Sequence, residues 1–80
     1  MRLDKYLKVS RIIKRRTVAN ELCDAGKVSV SGKICRASYD VKVGDILELI
    51  LGNKIMKVEV LKVNEYCKKE DAQEMYRVLN

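Results

Sequence analysis

The chain has 80 residues, with 17 Lys plus Arg against 11 Asp plus Glu, a net charge of +6, and no His, Pro, Trp or Phe. That length accommodates one small core, and a hydrophobic content of 48% excludes a disordered basic tail. The excess charge is confined to residues 1–16, where seven bases (Arg2, Lys5, Lys8, Arg11, Lys14, Arg15, Arg16) accompany the single acid Asp4; bases and acids balance over the rest, an asymmetry that points to a polyanionic partner.

Leu3, Tyr6 and Leu7 fall at helical spacing, which predicts a short amphipathic helix over Arg2 to Val9. Its other face carries Arg2, Lys5 and Lys8. Ile12 and Ile13, inside the basic run Arg11 to Arg16, predict a bend that turns two apolar side chains inward. Thr17 is the expected N-cap of a second helix with the stripe Val18, Ala19, Leu22 and Cys23, and Gly26 its left-handed terminator. The periodicity then becomes that of a strand. Val28 and Val30 alternate with Lys27 and Ser29, Ser31-Gly32 signals a tight turn, and Ile34 to Ser38 resumes in extended form. Asp40 to Asp45 reads as a loop, Ile46 to Leu51 as a buried strand, Gly52-Asn53 as a hairpin turn and Ile55 to Val63 as a long strand. Ala72, Met75, Tyr76 and Leu79 recur at helical spacing, which predicts a terminal helix within Cys67 to Asn80. The expected fold is α+β: two N-terminal helices packed on a small antiparallel sheet, with a short C-terminal helix, residues 1–80 forming one domain. Leu3, Leu7, Leu22, Val28 and Val30 are its expected core, and Gly26 and Gly32 its backbone requirements.

Cys23, Cys35 and Cys67 are odd in number and contain no C-x-x-C pair, so small apolar roles are expected rather than disulfides or zinc. No His is present to serve a catalytic thiol, and the acids are scattered. So small a chain has little room for a substrate cavity of about 300 Å³ beside its core. No catalytic residue, metal or cofactor is expected. Without an apolar run of about 18 residues or a signal-peptide pattern at Met1 to Lys5, the expected location is the cytoplasm, away from membranes.

The basic N-terminus lies on two elements joined by a bend. Three of its last six bases, Arg11, Arg15 and Arg16, carry the planar fork that matches phosphate oxygens. Arg15-Arg16-Thr17 also directly precedes a helix, whose first amides attract anions. Arg2, Lys5, Arg11, Arg15 and Arg16 are therefore expected to contact RNA phosphates, with Lys8 and Lys14 at the margin and Thr17 contributing its hydroxyl. Asp4 is expected to orient a neighbouring Arg or to cap the first helix. Folded RNA is favoured over DNA because no long recognition helix with base-reading Asn or Gln is evident. Stacking of single-stranded bases is disfavoured by the scarcity of aromatics, only four Tyr being present.

Arg2-Leu3-Asp4-Lys5-Tyr6-Leu7, then Arg16-Thr17-Val18-Ala19-Asn20-Glu21-Leu22, then Gly26-Lys27-Val28-Ser29-Val30-Ser31-Gly32-Lys33 resemble the RNA-binding domain first described in ribosomal protein S-four. The three blocks follow its R-L-D-x-x-L, S-R-x-x-A-x-x-L and G-x-V-x-V-N-G-x patterns in order, and Asp40 to Leu47 matches its V-x-x-G-D-x-L segment. The resemblance covers residues 1–51, with a C-terminal hairpin and helix expected over 52–80. Arg15 stands at the usual Ser and Ser31 at the usual Asn. Among stand-alone members the chain resembles the RqcP-like group, related to the fifteen-kilodalton heat-shock proteins. That resemblance implies a monomeric factor of ribosome-associated quality control. It implies binding to obstructed large ribosomal subunits through rRNA and peptidyl-tRNA, with RqcH as partner in C-terminal alanine tailing. The alternative it implies is a heat-shock-type recycling or assembly factor using the same surface.

Overall fold

A computed structural model describes residues 1–80. Two helices, α1 (Leu3–Val9) and α2 (Arg16–Asp24), precede β1 (Val28–Val30), β2 (Lys33–Ile34), β3 (Ile46–Leu51) and β4 (Lys54–Val60). A 3₁₀ segment, Lys69–Glu74, then leads into β5 (Tyr76–Val78). The strands form one antiparallel sheet in the order β2-β1-β3-β4-β5. The α+β class with two N-terminal helices on a small antiparallel sheet is as the periodicity predicts.

Register decides which residues meet the helices. Val28 pairs with Leu49, Val30 with Leu47, Leu47 with Val58 and Leu49 with Met56, so the apolar side chains of three strands share one face. Leu3, Tyr6 and Leu7 from α1 and Ala19 and Cys23 from α2 pack on it in a core cluster of 15 buried residues. Each such aliphatic side chain contributes about 1.5–3 kcal/mol of burial. Leu22, expected in the core, is half-buried at its edge. Ile13 is buried and Ile12 packs against the cluster, so the bend between the helices turns both inward. Ser31 and Gly32 both have positive φ (51° and 87°), the hairpin geometry in which Gly is free and Ser is strained.

The start of α1 is held by backbone. Leu3 N–H donates to the Tyr39 carbonyl (2.8 Å), Asp4 N–H to Ala37 (3.2 Å), and Val41 N–H to Met1 (2.8 Å). The Ala37 and Tyr39 carbonyls thus supply acceptors that a capping side chain would otherwise provide, and Val41 donates back to Met1. The Tyr6 hydroxyl, fully buried, donates to the Met75 carbonyl at 2.7 Å and ties α1 to the far end of the chain.

Three extents differ from those predicted. Of the stretch Ile34 to Ser38 only Ile34 pairs, in β2, and β4 ends at Val60 rather than Val63. The short C-terminal helix is present as a 3₁₀ helix over Lys69–Glu74, and it stops there because Tyr76–Val78 pairs with Val58–Val60. A short isolated helix is marginal in water, whereas pairing satisfies the free edge of β4 with residues of high strand propensity, Tyr and Val. Ala72 and Met75 are buried as their spacing predicts, but Leu79 is exposed.

Candidate nucleic-acid interface

Asp4, in the first turn of α1, is 3% exposed and gathers donors from three places. It accepts from its neighbour's amide, Lys5 N–H (2.8 Å), from Arg2 Nε (3.1 Å) and from Asn20 Nδ2 (3.3 Å), and it pairs with Arg16 Nε at 3.4 Å. Arg16 and Asn20 are four apart, so both project from one face of α2 towards α1. Burial alone would raise the Asp4 carboxyl. The donors from Arg2, Asn20, Arg16 and Lys5 outweigh it and hold the carboxyl below the usual aspartate value. Asp4 therefore stays charged, orients two guanidiniums and takes the free first-turn amide of Lys5, although the N-cap residue of the helix is Arg2. Arg2 and Arg16 remain about half exposed, and Arg16 engages Asp4 through Nε, which leaves its terminal nitrogens to solvent.

The start of α2 lies beside this pair. The N-cap is Arg15, in extended conformation with no side-chain cap, and Thr17 is the second helical residue. Thr17 therefore does not cap: the N-cap is Arg15, two residues earlier than expected, and the Thr17 hydroxyl is past the cap site. The amides of Arg16, Thr17 and Val18 have no partner in the chain, and no acid occupies the first turn. Unlike α1, this helix leaves its positive end open. Asp4, Arg16, Thr17, Asn20 and Glu21 line an open cleft of about 410 Å³ there.

The other bases form no single cluster with these. Lys5 pairs with Glu65, sixty residues away. Lys8 and Arg11 line a second cleft with Tyr66, while Lys14 and Arg15 are exposed on the connecting bend; none of these four bases has an acidic partner. Asn20 and Glu65 escaped the sequence reading. Asn20 was findable from its spacing to Arg16, whereas Glu65 carried no local signal.

Arg11 sits just past the C-cap Ser10 with φ 64°, where helices usually place Gly. A non-glycine residue there costs about 1 kcal/mol or more. Arg11→Gly is accordingly expected to raise the melting temperature by several degrees, a change of about 0.5–1 kcal/mol. A lower melting temperature would mean that the side chain contributes more packing than the strain costs.

Free cysteines occupy buried (Cys23) and half-buried (Cys35, Cys67) positions, and burial pushes the Cys23 thiol up to about 11, well away from thiolate chemistry. No group of three or more His, Cys, Asp or Glu side chains is placed to hold a metal ion. No helix is long and apolar enough to cross a membrane. What the N-terminal surface offers is anion binding: two oriented guanidiniums, three open amides and unpaired bases around them.

The family model described as "S4 domain" matches residues 1–47. A Streptococcus pneumoniae protein named "RQC P-site tRNA stabilizing factor" is 54% identical over 80 residues, covering 100% of this chain and 91% of its own. Its namesake from Bacillus subtilis is 51% identical over 79 residues, covering 99% and 92%. The solved trimeric structure of Vibrio cholerae Heat Shock Protein 15 superimposes with a TM-score of 0.91 at 29% identity, covering 99% of this chain and 81% of that one.

Proposed function

The chain belongs to the S4 domain family, in the group of RQC P-site tRNA stabilizing factors, and on that premise we propose that it is a non-catalytic RNA-binding protein of ribosome-associated quality control. It binds obstructed large ribosomal subunits in the cytoplasm as a monomer, contacts rRNA and peptidyl-tRNA, and supports RqcH-dependent alanine tailing of the stalled chain. Arg2, Lys5, Lys8, Arg11, Lys14, Arg15, Arg16 and Thr17 carry the RNA contacts. The observation that supports this most is the arrangement of Arg2 and Arg16 about one buried carboxylate, next to the open amides of α2. Such a surface reads phosphates at fixed spacing rather than base edges. Nothing in it needs a cofactor; the protein's contribution is to hold RNA in place.

Co-sedimentation with large subunits across a salt series tests the proposal. Subunits carrying peptidyl-tRNA should retain the protein, and empty ones should retain it less. Holding about five phosphates, the complex should lose about ten- to twentyfold in affinity for each doubling of salt. A salt-insensitive association would assign the contact to protein instead. A second reading, a heat-shock-type recycling factor, is favoured by the 0.91 superposition on Heat Shock Protein 15. It requires equal retention by empty and obstructed subunits and indifference to RqcH.

A further inference from the structure

Of the four tyrosines, Tyr6 is in the core, and Tyr39 and Tyr76 pack against it. Tyr66 alone stands outside, 79% exposed, with no hydrogen bond to its hydroxyl. Single exposed apolar side chains are ordinary on a protein surface, so exposure alone assigns Tyr66 nothing; its neighbours do. They are anchored on both sides: Glu65 to Lys5 on α1, and Cys67 against the core. The ring is thus presented from a pinned segment rather than a free one. Across a cleft of about 150 Å³ it meets the C-terminal end of α1, where Lys8 and Arg11 bring two cations without acidic partners; the one acid lining the cleft, Glu65, is paired with Lys5. Arg11 occupies its place at the mouth of that cleft with φ 64°. All of these aromatic-side residues lie beyond residue 47, the last residue matched by the family model.

An aromatic face flanked by unpaired cations matches the two parts of a nucleotide: a base to stack and a phosphate to neutralise. We propose that Tyr66 is a stacking platform for one unpaired nucleotide of the bound RNA, with Lys8 and Arg11 holding its phosphate. This rests on the RNA-binding reading above and adds to it a second contact, separate from the Arg2–Asp4–Arg16 cluster. The protein then distinguishes RNA with an extruded base from a uniform duplex, which phosphate contacts alone do not achieve.

The test uses the full chain and two fluorescent probes: a short blunt RNA duplex, and the same duplex carrying one bulged uridine. The parent should prefer the bulged probe by about tenfold, in keeping with one stacked base. Tyr66→Ala and Tyr66→Leu should abolish that preference while leaving duplex affinity unchanged, because an apolar side chain without a ring does not stack. Tyr66→Trp should keep the preference. As the chain has no other Trp, its emission should be quenched by the bulged probe and not by the blunt one. Arg16→Ala should weaken both probes alike. A preference that survives Tyr66→Ala, or one that Tyr66→Leu retains, overturns the stacking site. A parent that binds both probes equally also overturns it while leaving the RNA-binding reading intact. A parent that binds neither removes both.

Discussion

Asp4→Ala is expected to cost about 3 kcal/mol of stability, read as a fall in the urea midpoint, and to weaken RNA binding as well. The carboxylate is nearly inaccessible and receives two guanidiniums, an amide side chain and a backbone N–H. Truncation leaves the Lys5 amide and Asn20 without their acceptor, while the half-exposed Arg2 and Arg16 regain water, so the cost does not exceed the lower end of the roughly 3–5 kcal/mol seen for fully buried pairs. Arg2 and Arg16 would also repel each other once the shared anion is gone. Asp4→Asn keeps the shape and should cost less, about 1–2 kcal/mol. The pH dependence has a definite sign. Because the folded carboxyl titrates below its unfolded value of about 3.9, its stabilisation is fully present above that pH and is lost as pH falls through the folded value. The parent should therefore lose stability faster than Asp4→Asn on acidification below about pH 4. Equal midpoints for parent and Asp4→Ala at neutral pH would remove Asp4 from any structural role.

Arg16→Ala is expected to lower affinity for large subunits by about 10- to 100-fold, as the loss of a charge-assisted hydrogen-bond pair implies. Stability should change little by comparison. Asp4 keeps Arg2, Asn20 and the Lys5 amide, and the pair lost is half exposed on the Arg side, so less than about 1 kcal/mol and a few degrees of melting temperature are at stake. Arg16→Lys should recover only part of the affinity, since an ammonium neutralises a phosphate but cannot offer a fork while its base is tethered to Asp4. Unchanged co-sedimentation of Arg16→Ala would place the RNA surface elsewhere. A melting temperature depressed as far as that of Asp4→Ala would instead make the residue part of the scaffold.

The reach of the sequence can be judged from particular residues. Leu3, Tyr6 and Leu7 repeat at helical spacing, and Val28 and Val30 at strand spacing, because each buries one face of a regular element. Those signals are local, and they placed two helices and the central strands. The charge in residues 1–16 was equally plain, but its organisation was not. That Asp4 would hold Arg16 as well as Arg2 depends on α2 packing across α1, a tertiary fact with no trace in spacing along the chain. The Lys5–Glu65 pair is of the same kind. At the C-terminus, Ala72 and Met75 lie three apart, a spacing that α and 3₁₀ segments share. The three residues that follow are too few to show alternation. Their pairing arises from the open side of β4, which no local pattern records. Tyr66 was passed over because counting aromatics weighs them equally, whereas three of the four are spent on the core.

The same short strand β5 has a bearing on solubility. Without it, Val58, Glu59 and Val60 at the end of β4 would present an open row of amides and carbonyls to other molecules. With it in place, the sheet terminates in strands of two and three residues, each carrying a base (Lys33 on one side, Arg77 on the other). Neither border offers a long apolar template for intermolecular pairing, so a protein of this size can be cationic, sheet-based and still resist aggregation.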